Sequence, residues 1–428
     1  MKRILVFPCG SEIGLEIYRS VCSSPDFHLI GGSSVDDHGR FVFEDYVGNL
    51  PHISERSFIA ALSQIVAQHE IDAIYPAMDL VASIIKNGEE QLGCQVVGSS
   101  KEVVDICASK KLMYTFLDGC IPVPVWSVDS DAIANYPVFI KPIQGYGSRN
   151  TYLAKSQLAA ENFIKNSEGE GYLFVENLPG DEFTIDCFSD RHGQLLFSGA
   201  RKRSRISGGI STNTKMADVF ASLFDSYARA INVKLQPRGA WFFQMKQDAF
   251  GNPKLLEVAA RLAGSSSLFR SQGVNFALLS LYDAFDHDLT IVRNTYVTEL
   301  DRALHNRFII GIEYSTVYIG LGDCLIADSG VNPGLLAFVF LCINKGKSVV
   351  LIEKTSGNDL DVILTKYRLR DVFDKVIVLP PTDAKGSKFR YIKPEGAIFI
   401  DGSFTERLNV SQNHRIPVFS PDMVDVLF

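Results

Sequence analysis

Short apolar runs alternate with amphipathic stretches of helical period over the first hundred residues. The predicted strands are Arg3–Phe7, His28–Gly31 and Ile71–Tyr75, and the predicted helices between them are Glu12–Cys22 and Ser57–His69. Strands and helices that alternate in this way are typical of βαβ units on a parallel sheet. We therefore predict an α/β domain over residues 1–100. Its first turn, Pro8–Gly14, lacks a complete GxGxxG pattern, so a structural turn is favoured over a dinucleotide site.

The pattern changes after residue 100. A helix is predicted over Val103–Leu117, and strands separated by turn signals follow until a helix at Asn275–Asp286, which indicates an α+β domain over residues 101–295. Alternation of strands and helices resumes near residue 308, with strands at Val349–Ile352, Lys375–Leu379 and Ala397–Ile400. The segment Thr290–Arg307 is the predicted connection to a third domain, of α/β type, over residues 308–428.

Composition narrows the class of protein. Of 428 residues, 46% are hydrophobic and 21% charged, which is typical of a globular protein. The 42 Lys and Arg against 49 Asp and Glu argue against a broad nucleic-acid surface. The eight cysteines form no CxxC pair or zinc spacing, and the longest apolar run, Leu335–Ile343, is too short to span a membrane. The N-terminus has no signal-peptide pattern, so we expect a soluble cytoplasmic protein.

The segment Tyr136–Asn150 carries the first candidate chemistry. A β-branched and aromatic run ends in Lys141 and passes into a loop with Gly145 and Gly147. A lysine at a strand end supplies a fixed charge, and glycines let backbone N–H groups approach phosphate oxygens. The same residues also fit an ordinary strand followed by a turn, and the segment alone does not decide between the two.

Further charged residues stand at predicted strand ends. The carboxylate of Glu176 can accept a hydrogen bond from a purine amino group, and that of Glu182 can bind ribose hydroxyls. The alternative is that both are surface acids around a hairpin turn. The basic run Arg201–Arg205 would be self-repulsive on an exposed strand unless it meets an anion. Gln244 and Glu257 lie on two strands around a turn, and as antiparallel neighbours they could share a divalent cation bound to a triphosphate.

The order of these motifs resembles the ATP-grasp superfamily, in particular its carbamoyl-phosphate-synthase-like ligases. A lysine, a glycine loop, Glu followed by Gly-x-Glu, a basic run, and Gln followed by Glu-x-x-x-Arg succeed one another up to about residue 295. The resemblance implies a Rossmann-like pre-ATP-grasp domain over residues 1–100. It also implies an ATP-grasp domain of two α+β lobes over residues 101–295, with the small lobe at about 115–175.

The resemblance implies a role for each matching residue. Nucleotide contacts are implied for Lys110, Lys141, the loop residues Gly145, Gly147 and Ser148, the adenine-side Glu176 and Leu178, and the ribose-side Glu182. Charge stabilisation during catalysis is implied for Arg201, Arg203 and Arg261. Gln244 and Glu257 are implied ligands of Mg²⁺, with Mn²⁺ as an alternative.

The chain departs from the superfamily pattern at two positions. Ser109 replaces the aspartate that usually precedes the first lysine, and Ala259 replaces the asparagine of Glu-x-Asn-x-Arg. Alanine cannot coordinate a metal, so a clamp of two magnesium ions is in doubt unless a water replaces the missing amide.

The implied activity is ATP-dependent ligation of a carboxylate to an amine or a thiol. The carboxylate attacks the γ-phosphate of ATP to form an acyl phosphate, and the nucleophile then displaces phosphate, with ADP as the other product. The implied partners are small-molecule substrates, with no nucleic acid and no membrane, and a homodimer is left open. Ser265–Ser267 and Arg205 are candidate linings of the acceptor site.

Two other functions are compatible with parts of the sequence. A nucleotide-binding regulatory or scaffold protein with a crippled active site is the alternative that Ala259, together with Gly320 and Gly322 of the C-terminal domain, favours. Synthesis of carbamoyl phosphate is disfavoured, because that reaction normally takes two grasp modules and this chain has one.

Residues 315–325, STVYIGLGDCL, resemble the first motif of the haloacid-dehalogenase-like (HAD-like) phosphatases. The two aspartates of that motif, the nucleophile and the general acid, are replaced by Gly320 and Gly322. Because a glycine cannot attack phosphorus, the hydrolytic step has no residue to carry it.

The later motifs of the same family are also altered. In AIFIDGSF, Asp401 is kept but Gly402 replaces the second metal-binding acid, and Glu353 stands where a phosphate-binding Ser or Thr is expected. Lys388 or Lys393 is the candidate for the family's lysine. The resemblance therefore implies a HAD-like Rossmannoid domain over residues 308–428 that is catalytically inactive.

Overall fold

The computed structural model describes residues 1–129, 135–145, 150–167, 171–294, 296–303, 308, 310–327, 330–383 and 387–428. The chain divides into an N-terminal unit, Met1–Leu304, and a C-terminal unit, His305–Phe428. Both are built from mixed α/β structure, so the predicted fold class is confirmed. No helix in the described ranges is long and apolar enough to cross a membrane. The predicted boundaries at residues 100 and 295 stay predictions.

A parallel sheet begins the N-terminal unit. Its strands are β1 (Lys2–Phe7), β2 (Phe27–Gly32), β3 (Asp45–Val47), β4 (Ala73–Pro76) and β5 (Gln95–Val96), and its helices are α1 (Glu12–Val21), α2 (Phe58–Gln68), α3 (Asp79–Asn87) and α4 (Glu89–Leu92). The strand order is β3-β2-β1-β4-β5. Ile4 and Val6 are buried on one face and Leu5 and Phe7 on the other, as expected of a sheet covered on both sides.

The predicted helix over Val103–Leu117 is instead a pair of helices, α5 (Lys101–Ala108) and α6 (Lys110–Leu117). Ser109 has an extended backbone, and its hydroxyl accepts a hydrogen bond from the backbone N–H of Leu112. A serine in this position caps the second helix and ends the first, because its side chain competes for backbone groups. The break places Lys110 at the first position of α6.

A small antiparallel sheet follows. Its elements are β6 (Trp126–Ser127), β7 (Val138–Pro142), β8 (Tyr152–Ala154), α7 (Gln157–Lys165) and β9 (Tyr172–Glu176), with the strands in the order β6-β9-β7-β8. Lys141 lies opposite Leu173, one residue before the end of β7.

A larger antiparallel sheet completes the N-terminal unit. Its elements are β10 (Glu182–Ser189), β11 (Leu195–Ser207), β12 (Ile210–Met216), α8 (Ala221–Leu235), β13 (Gly239–Gln247), β14 (Pro253–Ala259), α9 (Ser267–Arg270), α10 (Phe276–Ala284) and β15 (Glu299–Asp301). The strand order is β14-β13-β10-β11-β12-β15. Ile185, Trp241 and Phe243 pack with Phe224 of α8 in one apolar cluster. Because side chains alternate along a strand, the even-numbered residues of β10 and β13 point to the opposite face at these positions.

The C-terminal unit contains a second parallel sheet. Its elements are β16 (Thr316–Ile319), β17 (Ile326–Ala327), β18 (Gly330–Val331), α11 (Pro333–Asn344), β19 (Ser348–Lys354), α12 (Gly357–Lys366), β20 (Lys375–Leu379), β21 (Ala397–Ile400), α13 (Phe404–His414) and β22 (Val418–Phe419). The sheet order is β20-β19-β16-β21-β22, and β17 and β18 form a short hairpin. Turns of 3₁₀ helix lie at Lys388–Tyr391 and Pro421–Leu427 in this unit and at His38–Phe41 in the N-terminal unit. The HAD-like assignment of this unit stays a prediction.

A buried ion cluster joins three segments of the C-terminal unit. The ammonium of Lys388 donates to Asp401 at 2.8 Å and to Glu353 at 3.3 Å, and Lys388 is only 5% exposed. Asp401 follows β21 and Glu353 lies on β19, so the lysine bridges neighbouring parts of the sheet. Buried carboxylates that lose their cation are strongly unfavourable.

Replacing Lys388 by methionine is therefore expected to destabilise the C-terminal unit by about 3–5 kcal/mol. Chemical denaturation, followed by a probe in that unit, measures the change. The control is Lys345→Met at an exposed position after α11, where a change below about 0.5 kcal/mol is expected. An equally small loss for both variants would contradict the role given to the cluster.

Candidate nucleotide-binding and catalytic site

A cavity of about 430 Å³ lies in the N-terminal unit. One wall consists of residues that follow β1 and β4, which are Ser11, Glu12, Ile13, Met78, Asp79 and Leu80. The order of the parallel sheet reverses between β1 and β4, and the crevice beyond the carboxyl ends of such strands is the usual ligand site of α/β sheets. The predicted site residues that line the cavity are Lys110, Gly145, Arg201, Arg203, Gln244, Glu257 and Arg261.

A transverse row of polar side chains forms another part of the lining. Strand pairing sets Glu257 opposite Gln244, Gln244 opposite Thr184, and Thr184 opposite Arg201. All of these residues line the cavity. The sheet therefore presents a carboxylate, an amide, a hydroxyl and a guanidinium side by side, and we call these residues the polar row.

Arg201 is held rigidly at one end of the polar row. It is 2% exposed, and its Nε donates to Asp186 Oδ2 at 2.6 Å. Its buried Nη1 has no hydrogen-bond partner among the residues that the structure describes. A guanidinium fixed in this way, with one N–H left unpaired in a cavity wall, is suited to an anionic ligand.

Arg203 connects the groups predicted to hold ribose and metal. Its Nη1 donates to Glu182 and, at 3.1 Å, to Gln244 Oε1, while Nη2 donates to the carbonyl of Gly209 at 2.6 Å. Lys202 likewise pairs with Asp181.

The basic run Arg201–Arg205 does not need a bound anion to avoid self-repulsion, which corrects the prediction made from the sequence. Arg201, Lys202, Arg203 and Arg205 are all paired with carboxylates of the protein itself. Charge balance alone therefore does not require a ligand here. Arg205 pairs with Asp301 and does not line the cavity, so the structure does not bring it to the acceptor site, whereas Ser265 does line it.

The predicted metal ligands Gln244 and Glu257 are direct cross-strand neighbours. No hydrogen bond or ion pair in the described part of the chain engages the Glu257 carboxylate. Ala259 packs with Phe242 and Ala263 in a small apolar cluster beside it. Over the same ranges, no group of three or more His, Cys, Asp or Glu side chains could hold a metal ion. Magnesium ions bound to nucleotides need only one or two protein ligands, because phosphate oxygens and water supply the rest.

Lys141 is not among the residues that line the cavity. It is 6% exposed, and its ammonium donates to the Tyr114 hydroxyl at 2.7 Å and to the Leu256 carbonyl at 3.3 Å. Burial, and then the neighbouring charge of Lys110, lower the pKa of Lys141 to about 7.

The remaining predicted nucleotide contacts are Glu176, Leu178 and Glu182 and the loop residues Gly145, Gly147 and Ser148. Glu176 stands 3.8 Å from Lys254, Glu182 pairs with Arg203, and Leu178 is buried. None of them is part of the cavity lining. Gly147 and Ser148 lie outside the described residues, while Gly145 accepts a hydrogen bond from Lys110 at 2.9 Å.

Several residues that line the cavity are not among the predicted site residues. Asp79 pairs with Arg261 at 2.6 Å, and Glu12 pairs with Arg302. Glu12 begins α1, the helix after β1, and Asp79 begins α3, the helix after β4. Both acids therefore lie beyond the carboxyl ends of the two central strands, where the strand order predicts a ligand site. Thr184 was also missed, although its alternation with Phe183 and Ile185 placed it on the same face as Glu182.

In the C-terminal unit, the residues at the carboxyl edge of the sheet satisfy one another. Glu353 Oε2 accepts hydrogen bonds from the backbone N–H groups of Leu321 (2.7 Å) and Gly322 (3.2 Å), in addition to Lys388. A Cβ at Gly320 would lie 2.3 Å from Asp401 Oδ2, so the carboxylate of Asp401 occupies that space. Of the two candidate lysines, Lys388 is the one that reaches this cluster.

Comparison with known proteins supports the fold of the N-terminal unit. A family model described as "ATP-grasp in the biosynthetic pathway with Ter operon" matches residues 168–303. No curated protein matches the chain.

Several solved structures share the fold over about two thirds of the chain. The biotin carboxylase domain of Hydrogenobacter thermophilus 2-oxoglutarate carboxylase, in complex with MgADP, ADP and bicarbonate, is 15% identical with a TM-score of 0.58, covering 67% of this chain and 70% of its own. Staphylococcus aureus N5-carboxyaminoimidazole synthetase complexed with ADP is 14% identical with a TM-score of 0.57, covering 68% and 79%. An L-amino acid ligase from Bacillus licheniformis is 17% identical with a TM-score of 0.54, covering 68% and 75%.

The match over residues 168–303 and the shared fold support the ATP-grasp domain that the motif order predicts. Identities this low show the fold alone. Assignment to the carbamoyl-phosphate-synthase-like ligases stays a prediction.

Glu353→Ser is expected to open an anion site in the C-terminal unit. The N–H groups of Leu321 and Gly322 and the ammonium of Lys388 would lose their common acceptor, and such donors bind oxyanions. Calorimetric titration with inorganic phosphate should give, for this variant, an additional site with a Kd on the order of 1 mM beyond any binding of the native chain at its N-terminal cavity. Glu353→Gln is the control, because its amide still fills the space and no additional site is expected. An unchanged number of phosphate sites in Glu353→Ser would show that Glu353 does not block a site.

Proposed function

We propose that this chain is an ATP-dependent ligase that joins a carboxylate to an amine through an acyl phosphate and releases ADP and phosphate. The observation that carries the proposal is the polar row, in which the pair Gln244 and Glu257 and the cation Arg201 face one cavity. Phosphoryl transfer needs positioning and charge neutralisation more than covalent chemistry, and these side chains supply both. The neighbouring structures with ADP bound, and the amino acid ligase, share the fold and support the assignment.

The nucleotide is assigned to the region between the small sheet and the large sheet. Lys110 and Lys141 neutralise its phosphates, Glu176 and Leu178 face the adenine, and Glu182 holds the ribose hydroxyls. In the structure, Arg203 donates hydrogen bonds to both Glu182 and Gln244. Binding of nucleotide therefore requires Arg203 to exchange these contacts for contacts with the phosphates.

The residues present fit one divalent cation. Glu257 offers a carboxylate, and Gln244 offers an amide oxygen once Arg203 releases it. The neighbouring position holds the apolar cluster of Phe242, Ala259 and Ala263, which offers no further ligand. The cation, Mg²⁺ or Mn²⁺, would neutralise charge on the phosphates when bound.

The substrate carboxylate is assigned to the end of the cavity at β1 and β4. Its oxygen attacks the γ-phosphorus while the bond to ADP breaks, and the amine then attacks the acyl carbon, with loss of phosphate and a proton. Arg261 is fixed by Asp79 and lies 5.2 Å from the Phe242 ring, so its charge is positioned for the developing negative charge.

A nucleotide-binding protein without ligase activity is the second candidate. The observations that favour it are Ala259 and the pairing of every cation of the basic run within the protein. The two candidates differ in turnover, because only the ligase releases ADP when an acid and an amine are both present.

Coupled measurement of ADP release with a panel of acids and amines tests the ligase. We expect release that depends on both substrates, and a loss of about 100-fold or more in Glu257→Gln, which removes a charge from the polar row. Glu161→Gln, at an exposed position of α7, is the matched control and should keep full activity. Formation of AMP and pyrophosphate would contradict the mechanism, and nucleotide binding without turnover would favour the second candidate.

The low pKa of Lys141 predicts proton uptake on nucleotide binding. With a pKa of about 7 in the free protein, Lys141 is largely neutral at about pH 8.5, and a phosphate nearby raises that pKa because it favours the charged form. Nucleotide affinity should therefore fall as the pH rises above 7, by up to about tenfold per pH unit.

Calorimetry at about pH 8.5 in buffers of different ionisation heat measures this uptake directly, because the nucleotide phosphates are already ionised there. Lys141→Met should bind more weakly and take up no proton. Equal binding heats in all buffers for the native chain would show that Lys141 does not meet the phosphates.

A further inference from the structure

Thr184 is the member of the polar row to which the motifs assign no role. It lies on β10, with Gln244 of β13 on one side and Arg201 of β11 on the other. The residue is 1% exposed and lines the cavity. Its Oγ1 is buried without a hydrogen-bond partner anywhere in the described ranges.

Other buried or half-buried hydroxyls of the same sheet are satisfied. Thr214 Oγ1 on β12 donates to the carbonyl of Lys202 at 2.8 Å, and Ser198 Oγ on β11 donates to Asp225 at 2.5 Å. Ser189, at the far end of β10, donates to Asn232 at 2.5 Å. An unpaired buried hydroxyl lowers stability, and valine has the same shape without that cost. A residue that breaks a local rule in a cavity wall indicates a function.

The neighbours of Thr184 identify the chemistry of the missing partner. On one side stand the amide and carboxylate suited to a divalent cation, and on the other is the unpaired Nη1 of Arg201. A group that touches both sides carries oxygens that accept from a guanidinium and coordinate a metal ion. A phosphoryl group meets this description, and a hydroxyl between the two sides can donate to one of its oxygens.

We propose that Thr184 is a further catalytic residue, whose Oγ1–H donates a hydrogen bond to an oxygen of the phosphoryl group in transfer. This inference rests on the proposed function. The bond from phosphorus to ADP breaks and the bond to the substrate carboxylate forms, while Thr184 keeps its proton and acts only as a donor. Asp186 is a positioning residue in the same arrangement, because it orients Arg201.

The test compares Thr184→Val, which removes the hydroxyl at constant shape, with Thr184→Ser, which keeps it. For Thr184→Val we expect kcat to fall by about 100-fold, while the Kd for MgADP changes by less than about threefold, since ADP lacks the transferred group. Thr184→Ser should retain most of the activity. The Tm of Thr184→Val should equal or exceed that of the native chain, because an unpaired buried polar atom is removed.

Thr214→Val is the matched control. Its hydroxyl is paired, so we expect a lower Tm and unchanged turnover. Unchanged turnover in Thr184→Val, or a fall in Tm as large as that of Thr214→Val, would overturn the inference.

Binding data separate this inference from the proposed function. If the native chain releases no ADP with any acid and amine, the ligase proposal fails. Thr184 is then tested by affinity for a non-hydrolysable ATP analogue, which Thr184→Val should lose by about fivefold or more relative to its affinity for MgADP. Equal losses for the analogue and for MgADP would reject a contact with the terminal phosphoryl group.

Discussion

The register of the large antiparallel sheet is the constraint on which the site depends. Backbone pairing of β14, β13, β10 and β11 sets Glu257, Gln244, Thr184 and Arg201 side by side. A slip of one residue would turn every side chain of a strand to the other face. It would expose Ile185 and Phe243 to the cavity and bury Thr184 and Gln244 in the apolar core. Packing of Trp241, Ile185 and Phe243 against α8 therefore stabilises the register, and through it the polar wall of the cavity.

The charges of the site fall into two classes. Asp186 is 2% exposed and holds Arg201, and Asp79 holds Arg261, so these guanidinium groups stay in place before any ligand arrives. Fixed charges of this kind need little reorganisation during a reaction. Arg203 differs, because it satisfies Glu182 and Gln244 and must release them if they are to hold ribose and metal. In the proposed function, nucleotide binding would replace one set of ionic contacts by another, so its net free energy would be smaller than the new contacts alone give.

Much of the fold follows from local patterns in the sequence. Alternation with period 2 and period 3.6 predicted the longer strands of both parallel sheets and the helices α1 and α2, whereas the short strands β3, β5 and β22 and the helices α3 and α4 were not predicted. The turn between Gln244 and Glu257 allowed an antiparallel pairing of their strands, which the structure shows. The break at Ser109 was missed, because apolar periodicity continues across it and only the capping hydrogen bond reveals it. Thr184 was missed for a different reason. Threonine is ordinary in a strand, and its significance depends on its hydroxyl having no partner within the described part of the chain, which only the packed structure shows.

The two parallel sheets have the same strand order. They differ in what fills the crevice at the point where that order reverses. Between β1 and β4 the crevice is open, and polar side chains such as Glu12 and Asp79 line it. At the corresponding place between β16 and β21, Asp401 fills the space beside Gly320. Glu353 accepts hydrogen bonds from the backbone N–H groups of Leu321 and Gly322. An aspartate at Gly320 would bring its side chain against Asp401, so the ion cluster leaves no room for the carboxylate that the HAD-like resemblance would place there. Hydrolytic chemistry at this edge would need changes at several positions at once, which is why the proposed chemistry is assigned to the open cavity of the N-terminal unit.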